Sequence, residues 1–125
     1  MPERPNIATL ELSKLLSVLS HRHRIQIIEE LRDGTECAVS SLQKLLGIST
    51  SRVSQHLSIL KAHHLLRARR QRRHVYYRHA CPKIAILLAQ GLEFVESELL
   101  EDNQRIHEAV EHTRHMWLAE DSASG

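Results

Sequence analysis

The stretch Leu45-Leu46-Gly47-Ile48-Ser49-Thr50-Ser51-Arg52-Val53-Ser54-Gln55-His56-Leu57-Ser58-Ile59-Leu60-Lys61 decides the fold. Gly47 interrupts an apolar helical pattern where a left-handed residue ends a helix. Ser49 then offers a hydroxyl to cap the next one. From there Val53, Leu57 and Leu60 recur at i, i+4 and i+7, one buried face of a helix over 50–63. Upstream, Val39, Leu42, Leu45 and Leu46 mark a short helix over about 38–46. Two helices joined by about three residues around a glycine have helix-turn-helix spacing.

Working outward, residues 8–19 read as a first helix with Leu10, Leu12, Leu15, Leu16 and Leu19 on one face. Ser20 caps a second helix over 21–33, which ends before Gly34. Downstream the period changes. Leu65–Arg70 and His74–Arg78 are short extended runs, the second rich in strand formers, flanking Gln71-Arg72, which predicts a two-residue hairpin. Pro82 suits the first turn of a final helix over about 82–118. Such a helix would be about 55 Å long. Its stripe of Leu88, Leu92, Val95, Leu99, Ile106 and Ala109 needs a partner chain to cover it. The expected fold is mainly α with a small β-hairpin wing: a winged helix-turn-helix of about five helices, dimerised through its first and last helices. One DNA-binding domain spans 8–118, between a flexible arm over 1–7 and a flexible tail over 119–125.

The 125 residues suit one domain, and 42% hydrophobic with 26% charged is ordinary for a globular protein. Only four residues are aromatic, Tyr76, Tyr77, Phe94 and Trp117, so the core is aliphatic. There is no apolar run of membrane-spanning length, and Met1–Asn6 lacks the signal-peptide pattern. Two cysteines, Cys37 and Cys81, are too few for a disulfide-stapled secreted fold. The expected location is the cytoplasm, with no membrane partner.

The net charge of +2 hides a division. Between Glu36 and Glu93 there is no Asp or Glu, and ten of the 17 Lys and Arg residues lie in that gap. A cationic middle between acidic flanks is the footprint of a polyanionic partner, here double-stranded DNA. The outer face of the second motif helix presents Thr50, Ser51, Arg52, Ser54, Gln55 and His56, with Lys61 near its end. Arg52 can fork onto guanine and Gln55 can pair with adenine in the major groove. Arg67, Arg69, Arg70, Arg72 and Arg73 crowd the wing. Strand alternation keeps them from reaching DNA together, so Arg69, Arg70, Arg72 and Arg73 are assigned as wing contacts, to phosphates or the minor groove. Gln43 and Lys44 can clamp the backbone.

The 45–61 stretch, the following Leu65-Leu66, Arg73-His-Val-Tyr-Tyr-Arg78 and the Leu19-Ser-His-Arg-His-Arg-Ile25 entry to the second helix together resemble the ArsR/SmtB family of bacterial repressors. The resemblance covers about residues 10–100. It implies a homodimer that binds operator DNA and releases it on a chemical signal. Many members carry Gly where Arg72 stands, and a tight turn prefers Gly or Asn there, so a wider wing is expected.

Two signals are open. Cys37 precedes the short helix, whose N-terminal amides favour a reactive thiolate. Its position resembles the first cysteine of the persulfide- and redox-responsive branch, but no second cysteine lies along the final helix. A Cys37–Cys81 bridge is not expected. The Cys-x-Cys of arsenite sensors is absent. The other signal is a divalent metal such as zinc on the last helix, where His107, Glu111, His112 and His115 share faces. Leu99 and Glu101 stand where zinc-sensing relatives carry their earlier ligand pair, so no cofactor is certain.

No catalytic residue is identified. His107-Glu-Ala-Val-Glu-His112 resembles a zinc-protease motif, but its histidines are five apart, about 140° around the helix, and cannot share one ion. A non-specific architectural nucleic-acid binder is the alternative to a repressor. A third reading is an interaction module that uses the acidic last helix.

Overall fold

The computed structural model describes residues 6–99 and 104–123. Helices α1 (Ile7–Leu19) and α2 (Arg22–Glu30) precede a short strand β1 (Cys37–Ala38), followed by α3 (Val39–Leu46) and α4 (Thr50–Ala62). Strands β2 (Leu66–Gln71) and β3 (His74–His79) lead into α5 (Lys83–Phe94), a π-helical turn over Val95–Leu99 and α6 (Gln104–Ala123).

The helix-turn-helix forms as its sequence dictates. Gly47 closes α3 at φ 67°, and the Ser49 hydroxyl accepts from the Arg52 backbone N–H at 3.2 Å. Val53, Leu57 and Leu60 are completely buried, against Ile27, Ile28 and Leu31 of the α2 region and Leu42 of α3. Leu65, Leu66, Ile84 and Trp117 extend the same core. Helix α4 ends with His64 at φ 62° and the Leu65 N–H bonded to the Leu60 carbonyl, a Schellman closure.

Several details differ from the sequence reading. His21, rather than Ser20, caps α2: its ring accepts from the His23 backbone N–H, while Ser20 closes α1. Helix α2 stops at Glu30, and a turn carries the chain to Gly34.

Strand β1 was not anticipated. It pairs antiparallel with β3, Cys37 opposite Tyr77, giving a three-stranded sheet of order β1-β3-β2.

The wing is not widened. Gln71 pairs with His74, so the turn is the two residues Arg72-Arg73, with Arg72 held at φ 58°. Ladder pairing over all six residues of each strand outweighs one strained residue.

The expected helix over 82–118 is divided. Helices α5 and α6 pack together, and Glu96, after α5, meets His107 at 3.2 Å and Arg114 at 3.7 Å on α6. Trp117 is thereby buried in the main core, at 2% exposure. The helix continues through Ala123, where a tail was expected, and Ile7 of the expected arm begins α1. Asn6 of that arm caps α1, while Met1–Pro5 and the last two residues of the tail lie outside the described residues.

His64 and Arg72 both occupy the left-handed region, which costs an L-residue about 1–2 kcal/mol but suits glycine, whose own entropy offsets part of the gain. Arg72→Gly and His64→Gly should each stabilise the fold by about 0.5–1 kcal/mol in urea unfolding. A loss of stability in both would show that their side chains hold the turns.

Candidate nucleic-acid interface

Burial of Val53, Leu57 and Leu60 turns the opposite side of α4 outward. Thr50, Ser51, Arg52, Gln55 and Lys61 are exposed and Ser54 is half-buried. Ser51, Ser54, Gln55, Ser58 and Ile59 line one shallow depression. Ser58 is a surface residue the sequence reading passed over, and it lies on the same face one turn after Ser54. Lys44, at the end of α3, is exposed beside the motif.

His56 does not belong to this surface. It is 7% exposed and turned inward, and its Nδ1 accepts from the Arg24 Nε–H at 3.1 Å. The same guanidinium donates through Nη1 to the Val18 carbonyl at 3.1 Å. Arg24 thus ties the end of α1 and the start of α2 to α4. The His56 pKa is pushed below its ordinary value by burial first, then by the charges of His21 and Arg24. His23 is lowered too, by desolvation and by Arg22.

The wing separates its arginines. Arg70, Arg72 and Arg73 are exposed at the tip. Arg69 is engaged at the root: Nε and Nη2 donate to the Glu36 carboxylate at 2.9–3.2 Å, and Nη1 donates to Gln71 Oε1 at 2.8 Å. Its guanidinium also lies 5.1 Å from the Tyr76 ring centroid. The bond to Arg69 holds the Glu36 carboxyl below its usual pKa.

The expected signal sites fare differently. Cys37 is half-buried in β1, and burial, then Glu30 and Asp33, push its thiol pKa up. The position before α3 does not lower the thiol pKa, because burial disfavours the charged sulfur and the nearby acids oppose it. Cys37 and Cys81 are both free thiols. On α6, His107 pairs with Glu96, and His115 meets Glu111 at 3.3 Å. Glu111 also pairs with Arg114, and His112 is exposed. The structure does not gather His107, Glu111, His112 and His115 into a three-donor set. Among the described residues, such a set forms only from His21, His23 and His56.

Comparison with known proteins agrees with this geometry. The model of bacterial regulatory proteins of the arsR family matches residues 21–67. The biofilm growth-associated repressor of Xylella fastidiosa is 32% identical over 78 residues, covering 62% of this chain and 68% of that repressor. The crystal structure of NolR from Sinorhizobium fredii is similar with a TM-score of 0.64 at 29% identity, covering 75% of this chain and 96% of that one. A homodimeric winged helix-turn-helix DNA-binding domain from Mycobacterium bovis, a possible ArsR-family transcriptional regulator, gives 0.63 at 28% identity over 79% of this chain and 94% of that domain. These relatives are transcriptional regulators rather than enzymes. With the helix-turn-helix, the wing and the repressor match in agreement, the chain belongs to the arsR family of bacterial regulatory proteins.

Proposed function

We propose that this protein is a homodimeric, cytoplasmic repressor that binds an inverted-repeat operator, with α4 in the major groove and the wing tip on the backbone. The observation that carries this is the division of α4: its apolar stripe is fully buried, while hydroxyls, Gln55 and Arg52 stand exposed beside a wing tip of three free-facing arginines. Ser51, Ser54 and Ser58 permit close approach to the groove, Gln55 can pair with adenine and Arg52 with guanine. Arg70, Arg72 and Arg73 supply phosphate attraction.

Dimerisation is supported by the apolar residues left on α1 and α5. Leu12 and Leu16 are 55% and 52% exposed, and Ile86, Leu87 and Phe94 are exposed on α5. A second copy covering both helices would remove them from water, and two-fold symmetry would place two recognition helices about 34 Å apart, one turn of DNA. Of the two expected signals, Cys37 keeps a structural route. An adduct on its sulfur would press on the β1–β3 pairing beneath the wing, although a thiol with a raised pKa reacts slowly.

Fluorescence anisotropy on DNA from the upstream region of the protein's own gene, against scrambled DNA, tests the reading. Arg52→Ala and Gln55→Ala should each lose about 1–3 kcal/mol on the specific site and little on scrambled DNA. Arg70, Arg72 and Arg73 changed together to Ala should weaken both alike and flatten the salt dependence. Equal affinity of the unmodified protein for both DNAs would replace the repressor with the architectural binder. Leu16→Glu with Ile86→Glu should give a folded monomer in sedimentation that no longer binds the operator. A dimer that persists would place the interface elsewhere.

A further inference from the structure

Three imidazoles meet where α2 begins and the middle of α4 passes. One ligand nitrogen from each of His21, His23 and His56 lies within 4.8 Å of the other two. The ring centroids stand 4.4 Å apart for His21 and His56, 5.3 Å for His21 and His23, and 5.9 Å for His23 and His56. His23 Nδ1 is buried with no hydrogen-bond partner. A lone orphan nitrogen beside two further imidazoles is a donor set short of an acceptor of its lone pairs.

We propose that His21, His23 and His56 bind one divalent transition-metal ion of the zinc class, holding the recognition helix to the α1–α2 joint. Three neutral imidazoles with a fourth position for water are a familiar zinc donor set. Desolvation and the nearby Arg22, Arg24 and Arg52 keep His23 and His56 unprotonated at neutral pH, so their lone pairs are available. Those same cations repel a dication and limit its affinity. Tetrahedral zinc, at about 2.0–2.1 Å from each nitrogen, requires the nitrogens to be about 3.3 Å apart. The rings therefore draw together when the ion enters.

That contraction is opposed by two bonds. His21 Nδ1 accepts from the His23 backbone N–H at 3.2 Å and gives up that cap whichever of its nitrogens takes the ion. His56 Nδ1 accepts from Arg24. If Nδ1 takes the ion, Arg24 loses its acceptor. If Nε2 takes it, the neutral ring carries its proton on Nδ1, and Arg24 again loses its acceptor. In both cases the ion replaces Arg24 as the link between α2 and α4. On the reading of α4 as the DNA-contacting helix, on which this consequence rests, metal and DNA affinities are reciprocally coupled.

Cobalt(II) titration of the reduced full chain tests the site without DNA. We expect one ion per chain, visible bands of four-coordinate nitrogen and oxygen ligation, no sulfur charge transfer, and displacement by zinc(II). His21→Gln with His23→Gln should weaken binding at least about tenfold, with an unchanged far-ultraviolet circular dichroism spectrum. His112→Gln with His115→Gln should leave it unchanged. No stoichiometric binding overturns the proposal, as does binding that survives the first pair or is lost with the second. Anisotropy then tests the coupling separately: saturating zinc should change the affinity for upstream DNA about fivefold or more. An unchanged affinity in protein shown to hold zinc overturns the coupling. Failure of the metal-free protein to prefer its own upstream DNA is a failure of the repressor reading, and the cobalt result stands apart from it.

Discussion

The complete burial of Val53, Leu57 and Leu60 is the constraint on which the rest depends. These side chains lock α4 against α2 and α3, and everything α4 presents outward follows from that orientation. Truncating one such leucine to alanine costs about 2–5 kcal/mol, a large share of the roughly 5–15 kcal/mol that holds a domain of this kind together. The surface polar residues of α4 contribute little to stability by comparison. The sequence is therefore divided cleanly: the stripe sets the fold, and the opposite face is free to be chosen for its partner.

The helix-turn-helix was legible because local chemistry and burial agree there. Gly47 adopts the left-handed cap, Ser49 makes its cap bond, and the i, i+4, i+7 stripe is the buried one. His56 was misplaced because polarity was weighed above position. It lies three residues after Val53 and four before Leu60, on the apolar face by helical geometry, and Arg24 satisfies it from another element. A partner 32 residues away leaves no local signal. The histidine cluster was hidden for the same reason: His21 and His23 become neighbours of His56 only after α2 docks on α4. Strand β1 is two residues long and made by pairing with β3, which no period in the sequence can announce.

Charge is arranged with similar economy. Glu36 is the last acid before the long acid-free stretch, and it is spent on Arg69. With Arg69 half-exposed, water and salt screen that pair, so stability does not explain it. Its effect is geometric. It fixes one arginine at the root of the wing, over Tyr76, and anchors the approach to β1 to β2. The tip arginines keep their charge unneutralised. A wing with a braced root and a cationic end suits phosphate contact better than five loose arginines, each of which would lose side-chain freedom on binding.

The break between α5 and α6 changes what the C-terminal region does for the fold. A single helix over 82–118 would have carried its whole apolar stripe beyond the domain. Folding back places Trp117 in the core alongside Ile84 and Ala89, and Glu96 draws His107 and Arg114 onto the same junction. One side of α5 is thereby satisfied within the chain. The other side still presents Ile86, Leu87 and Phe94, and α1 still presents Leu12 and Leu16. The apolar surface left for the proposed second copy is thus narrower than the sequence suggested and is concentrated on α1 and α5. Both helices pack on the body that carries α4, so in the proposed dimer one rigid core would set the spacing of the two α4 helices.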